Sequence, residues 1–380
     1  MTAVKVLVAP CTFKGSLSAR EAAAAIARGL SGSGMDCLEL PLSDGGEGLV
    51  DCFASLPGSE RAEVEVTGPL PGMSVTAGYA LLGGGRTAAV EMAAAAGLPL
   101  LSEDRRNPML TTTRGFGQLI LDALRRGAVQ LILGLGGSAT VDGGSGMASA
   151  LGVRLLDSAG ERLPDGGGAL RGLEEIDVSA LAPELAGAEL KVACDVDSPL
   201  LGSDGAARVF GPQKGATPGM VEELELGLAR LAGRLKVDLG RDVADLRGAG
   251  AAGGLGAGLV GFLGARLLAG AELVMDAVGF DARLEEVDLL ITGEGRLDGQ
   301  SLRGKAPAAA ARRAAARGVP AVAFAGRADL GDEDLAAAGM VRAWQLQEFA
   351  PAGECMERAA EMLEEMARRN AAELGRIARR

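Results

Sequence analysis

No histidine occurs anywhere in this chain of 380 residues. Any general base must therefore be a carboxylate or a lysine of depressed pKa, and triads or metal sites built on imidazole are excluded. Aromatic residues are nearly as scarce at 3 %, with one Trp and one Tyr, while 48 % of the chain is hydrophobic. The core must then be built from Ala, Val and Leu. The five cysteines (Cys11, Cys37, Cys52, Cys194, Cys355) are scattered and show no C-x-x-C spacing. That excludes a disulfide framework or cysteine zinc site and fits a reduced, cytoplasmic setting. Basic charge is also lacking: a formal net charge of −12 argues against nucleic acid and anionic membranes as partners. The longest uncharged stretch, Gly248 to Ala265, is too glycine-rich for a membrane span and reads as a loop followed by a buried helix. Met1-Thr-Ala-Val-Lys leads straight into a strand, and no signal peptide is expected there.

Glycine, by contrast, is abundant: 59 residues with no collagen period, which must serve turns, close packing and ligand loops. The stretch LILGLGGSATVDGGSGMASA, Leu131 to Ala150, concentrates them. Leu131-Ile132-Leu133 reads as a buried strand, and an Ala-rich helix follows the glycines. Consecutive glycines let a backbone approach a ligand, and exposed N–H groups in such a loop cradle an anion. Gly136, Gly137, Ser138, Thr140, Gly143 and Gly144 are therefore candidate phosphate ligands, and Asp142 a candidate metal ligand. The loop is neither a Walker loop nor G-x-G-x-x-G, and a flexible turn capped by Asp142 accounts for the same residues.

The rest of the chain changes grammar twice. Val4 to Pro10 reads as a parallel strand, followed by a helix opened by the capping box Ser18-x-x-Glu21. Asp36 to Leu42 is a second strand, and Asp44 and Glu47 stand at capping-box spacing before a second helix. Glu63–Thr67, Ser74–Leu82 and Thr87–Met92 then read as antiparallel strands between Gly and Pro turns. From Val287 strand and helix alternate again, ending in one long helix, Glu354 to Arg379. The expected architecture is α/β: a five-stranded, doubly wound parallel sheet, order second, first, third, fourth, fifth, formed by residues 1–61 and 286–380. A second mixed α/β domain, residues 62–285, is inserted into it.

Charged residues cluster where such sheets place ligands, at the carboxyl ends of strands. Glu294 and Asp298 in TGEGRLDGQSLRGK could bind Mg²⁺, and Arg296 and Lys305 could hold anionic oxygens. Lys14 and Ser16 lie in the first strand-to-helix loop, and Asp44 follows the second strand. Asp195 closes a strand of the inserted part, with Lys214 in a glycine-flanked loop after it. Arg114, at a helix start, could clamp an anion or pair with a carboxylate. A carboxylate, a lysine and a metal are the parts that phosphoryl transfer requires.

Read in order, LVAPCTFKGSLSAREAA, PLSDGGEGL, VEMAAAAGL, TTTRGFGQLI, GLGGSATVDGGSGM, VACDVDSPLLG, RVFGPQKGA, GAGAAGGLGAGL and ITGEGRLDGQSLRGKAP resemble the motifs of class I glycerate kinases, from about Lys5 to Gly326. The resemblance implies a flavodoxin-like domain carrying an inserted restriction-endonuclease-like α/β domain. It also implies transfer of the γ-phosphate of ATP, with Mg²⁺, to D-glycerate in organic acid catabolism, usually giving 2-phosphoglycerate. The motifs assign no individual role, so roles follow from side-chain chemistry. Arg296 or Lys14 would take the glycerate carboxylate, with Ser16 and Arg114 as further substrate ligands. Asp195, or else Asp298, would receive the hydroxyl proton, and Lys214 and Lys305 would stabilise the transferring phosphoryl group. Asp44, Asp142 and Glu294 would hold the metal, and the two parts of the chain would share one cleft. A glycerate 3-kinase, a related hydroxy-acid kinase and a non-catalytic nucleotide- or metabolite-binding regulator stay open as alternatives, as does a homodimer.

Overall fold

The computed structural model describes residues 3–299 and 301–379. In chain order its strands are β1 (Val4–Pro10), β2 (Met35–Glu39), β3 (Glu60–Thr67), β4 (Ser74–Leu82), β5 (Thr87–Glu91), β6 (Gln130–Gly134), β7 (Arg154–Leu156), β8 (Glu175–Asp177), β9 (Glu189–Ala193), β10 (Arg266–Leu268), β11 (Leu289–Leu297), β12 (Ala321–Ala328) and β13 (Met340–Gln345). They fall into two compact units. The first comprises Met1–Asp44, Asp51–Pro57 and Ala269–Arg380; the second comprises Gly45–Val50 and Gly58–Leu268.

The first unit is built on a five-stranded sheet in the order β13-β12-β11-β1-β2, all parallel, which is the order expected from the alternating pattern. Val6, Leu7 and Val8 are fully buried because helices cover both faces of a parallel sheet. On one face the helix Ala19–Leu30 packs against Ala359–Ile377 through Ile26, Leu30, Leu363 and Met366. A Cβ on Gly29 would lie 2.1 Å from the Glu364 carbonyl, so only glycine permits this approach. The capping box Ser18–Glu21 forms as read. Residues 269–285, grouped from sequence with the insertion, pack here instead. The helix Gly270–Ala277 meets Ala306–Ala315, and Arg313 pairs with Glu272 and Asp276. The C-terminal helix is broken at Arg358 (φ −116°, ψ 26°) into Ala352–Glu357 and Ala359–Ile377.

In the second unit a six-stranded sheet runs β10-β9-β6-β5-β4-β3, parallel from β10 to β5 and antiparallel through β4 and β3; β7 and β8 form a separate hairpin. Its core is mostly Ala, Val and Leu around the buried Tyr79 and Phe116. The Tyr79 hydroxyl donates to Asp122 at 2.7 Å, which satisfies its one polar atom. The helix start read at Asp44 and Glu47 does not form. Gly45 and Gly48 take φ of +87° and +89°, the helix spans Leu49–Ala54, and Glu91 accepts the Val50 N–H at 2.7 Å. Among the described residues no helix is long and apolar enough to cross a membrane.

Candidate active site

In the first unit the functional candidates stand where β1, β2 and β11 end. Glu294 continues β11 between Gly293 and Gly295. A Cβ at Gly293 would lie 1.9 Å from the Phe324 carbonyl, and one at Gly295 would lie 3.3 Å from the Lys14 nitrogen. The strand end is thus pressed between its neighbours, and Glu294 is only 9 % exposed as a result. Its Oε2 lies 3.5 Å from Lys305 Nζ, while its Oε1 is buried with no hydrogen-bond partner. Burial raises the Glu294 pKa most; the Ser301 hydroxyl and the Lys305 charge pull it down, and Asp44 pushes it up. Cys11 shares the same surroundings. Burial drives its thiol well up, with Asp44 and Glu294 adding to the effect and Lys305 opposing it. The structure therefore brings Asp44, Glu294 and Lys305 together and adds Cys11 and the buried Ser301, which the sequence reading passed over.

The other candidates of this unit are more committed. Arg296 is 3.0 Å from Asp329 and 3.5 Å from Asp298. Asp298 accepts the Ser301 N–H at 3.3 Å. Ser16 donates its hydroxyl to the Met356 carbonyl at 3.1 Å, and Lys14 is exposed.

In the second unit the glycine loop follows β6 and is buried almost throughout. Asp142 is fully buried and accepts four hydrogen bonds: Thr113 N–H and Oγ1 at 2.8 Å, Gly144 N–H at 3.1 Å and Gly146 N–H at 3.3 Å. Burial raises its pKa, and these donors hold it down in part. A carboxylate so occupied does not suit a metal, which corrects the expectation for Asp142; its work is to set the turn. Gly143 and Gly144 are corrected with it. The Gly144 N–H goes to Asp142 and the Gly143 N–H to the Gly253 carbonyl at 3.1 Å, so neither is left for a phosphate. The loop is also pinned from behind by the segment Ala252–Gly254, three residues of positive φ (53°, 70° and 87°). A Cβ on Gly253 would sit 2.0 Å from the Thr140 carbonyl.

What remains for an anion is Gly136, Gly137, Ser138 and Thr140. Gly137, exposed at φ +74°, turns the chain so that Ser138 lies just inside the surface. Lys214 reaches this loop from the short turn Pro212–Lys214, 2 % exposed, with Nζ 2.6 Å from Ser138 Oγ and 2.7 Å from the Thr140 carbonyl. So placed, it supports the loop rather than presenting its charge at a surface. Burial draws its pKa down to about 7, against the pull of Asp142. Arg114 forms a two-pronged pair with Asp165 at 2.5 and 2.7 Å, so its fork is spent within the protein. Asp195 is exposed just beyond β9, and its neighbour Asp197 pairs with Arg247 at 2.6 Å.

Among the described residues no group of three or more acidic or thiol side chains is arranged to hold a metal. Two carboxylates, Asp44 and Glu294, nevertheless suit Mg²⁺. That ion is usually held by one or two carboxylates with the remaining positions left to phosphates and water. The unpartnered Glu294 Oε1 is the kind of buried oxygen a cation would satisfy.

A family model described as the glycerate kinase family matches residues 6–375. The chain is 46 % identical to a glycerate kinase of Bacillus subtilis (strain 168), covering 98 % of each. It is 47 % identical to a glycerate 2-kinase of Escherichia coli (strain K12), covering 85 % of each. A crystal structure from Salmonella typhimurium LT2, provisionally described as glycerate kinase 2, superposes with a TM-score of 0.88 at 44 % identity, covering 98 % of this chain and 99 % of the other.

Proposed function

The chain belongs to the glycerate kinase family, and from that premise we propose that it transfers the γ-phosphoryl group of ATP to the 2-hydroxyl of D-glycerate, giving 2-phosphoglycerate. The observation that carries this reading is the group at the end of β11. There a buried carboxylate with an unsatisfied oxygen, Glu294, stands beside Lys305, the arrangement a metal-bound polyphosphate needs. The choice of the 2-hydroxyl leans on the relative named glycerate 2-kinase.

Each residue then has a task that its chemistry permits. Arg296, steadied by Asp329, or the exposed Lys14 takes the substrate carboxylate. Lys305 balances charge on the phosphoryl oxygens, and Gly136, Gly137, Ser138 and Thr140 hold the phosphates. Asp195 accepts the proton of the attacking hydroxyl; Asp298, already engaged by Ser301 and Arg296, is the second choice. Mg²⁺ would be held by Asp44 and Glu294 and would neutralise charge on the phosphates.

The test is turnover followed by identification of the product. ADP release that requires D-glycerate, with phosphorus NMR showing the phosphate on the 2-hydroxyl, is the expected result. A phosphate on the 3-hydroxyl would overturn the product assignment. No glycerate-dependent ADP release would overturn the kinase reading and leave a metabolite-binding regulator.

A further inference from the structure

Lys214, to which the transfer just described gives no task, meets Ser138 in a specific geometry. The lysine is delivered by Gly215, whose φ is +90° and whose Cβ would meet the Arg106 carbonyl at 2.4 Å, so the turn is specific to glycine. Its Nζ then has two partners of different character. The Thr140 carbonyl can only accept, so it takes an N–H whether the lysine is an ammonium or a neutral amine. Ser138 Oγ, 2.6 Å away, accepts from the ammonium but donates to the lone pair of the amine. In the second state the serine proton points at a base, and the oxygen lone pairs are turned toward whatever approaches. A hydroxyl within hydrogen-bond reach of a base that a third group orients is the pattern of an activated nucleophile, and serine–lysine versions are known.

Two further observations favour a reagent reaching this oxygen. The preceding Gly137 is exposed and Gly136 is partly so, while Ser138 itself keeps 6 % of its surface. Two residues on, Thr140 Oγ1 is buried with no partner, an unspent hydroxyl donor in the same loop. Burial keeps the lysine pKa near neutrality at about 7, so the amine state is populated under ordinary conditions; Asp142 is the charged group that opposes this.

We propose that Ser138 is a nucleophile with Lys214 as its base, and that in the absence of glycerate it takes up the γ-phosphoryl group of ATP. The proposal rests on reading the Gly136–Thr140 loop as the phosphate cradle. In the step, the Ser138 hydroxyl proton passes to Lys214 Nζ and Oγ bonds to the γ-phosphorus. The bond from that phosphorus to the β–γ bridging oxygen breaks, its electron pair leaving with ADP. The products are phosphoserine, ADP and the lysine ammonium.

Mass spectrometry after incubation with Mg²⁺–ATP, without glycerate, tests it. One phosphoryl group is expected on the peptide containing Ser138 and none in Ser138→Ala, with a labelling rate that rises as pH passes about 7. Lys214→Met should slow labelling by about 10²–10⁴-fold, the usual worth of a general base. Because that variant also strips two hydrogen bonds from the loop, the pH dependence of the unaltered protein is read beside it. Acetyl phosphate serves as a second donor that needs no nucleotide site. Labelling of Ser138 by acetyl phosphate alone would keep the nucleophile and overturn the nucleotide cradle. Absence of label from both donors, or a rate indifferent to pH between 6 and 8 (about one unit either side of the lysine pKa), would overturn the dyad.

Discussion

The two units handle charge in opposite ways. At the strand ends of the first, charged groups are displayed: Arg296 and Arg327 are more than half exposed and share Asp329, and Lys305 is one-third exposed beside Glu294. In the glycine loop of the second, charge is committed. Asp142 and Lys214 are shut away, and their partners are backbone groups and hydroxyls of the loop and of Thr113. The contrast follows from local construction. A parallel sheet must stop somewhere, and the residues just past its carboxyl edge have no layer to cover them. A glycine loop enclosed by other segments has no side chains to satisfy its backbone, so a buried carboxylate and a buried lysine do that work. Displayed charge suits an anionic substrate that arrives and leaves; committed charge suits a frame whose shape must not change.

The largest effect that could break this comparison is metal removal. If the strand-end carboxylates Asp44 and Glu294 serve a divalent ion, chelation should abolish glycerate-dependent ADP release, and Mg²⁺ or Mn²⁺ should restore it. Full activity in the presence of excess chelator would show that these groups do not work through a metal. Next comes the second unit's exception. Asp195 is exposed, and Asp195→Asn should lower kcat by about 10²–10⁴-fold with little change in the KM for glycerate, since an amide cannot take the proton. Near-normal turnover would move the base to Asp298.

A smaller effect is expected where charge is structural. Asp142→Asn puts an amide NH₂ or a weaker oxygen before four donors, which should cost about 3 kcal/mol of unfolding free energy by urea titration. A variant as stable as the parent would show that the carboxylate is not what holds the loop.

Much of this was legible from sequence, and the reason is periodicity. Val4–Pro10 and the strand read from Val287 are short apolar runs bounded by turn residues and alternating with helical stretches, which together mark the buried strands of an α/β sheet. Ser18 and Glu21 carried their capping box in four residues. The same signal misled at Asp44 and Glu47, where two glycines of positive φ postpone the helix to Leu49. What could not be read were partners far apart in the chain. The donors that occupy Asp142 include Thr113, 29 residues away, and the oxygens that take up Lys214 are 76 and 74 residues away. No local pattern announces such a pairing, so a buried brace and an exposed ligand look alike in the sequence. Glu294 is the converse. Its flanking glycines marked a ligand loop, and the same glycines let the strand end pack closely enough to bury it.

Arg114 offers the finest test of displayed against committed charge, because from sequence it fitted either. Its guanidinium meets Asp165 through both Nε and Nη2, and the two side chains are one-third and one-fifth exposed. A lysine there keeps the charge but loses the fork, so Arg114→Lys should cost about 1 kcal/mol in stability, the scale of a partly exposed pair. If the arginine is committed to Asp165, the KM values for glycerate and ATP should each stay within about threefold, since below ~0.7 kcal/mol no direct ligand contact has been lost. Should either KM rise tenfold or more while the urea midpoint stays put, the guanidinium is reaching a substrate as well. The line between a displaying first unit and a committed second unit would then have to be redrawn around Arg114.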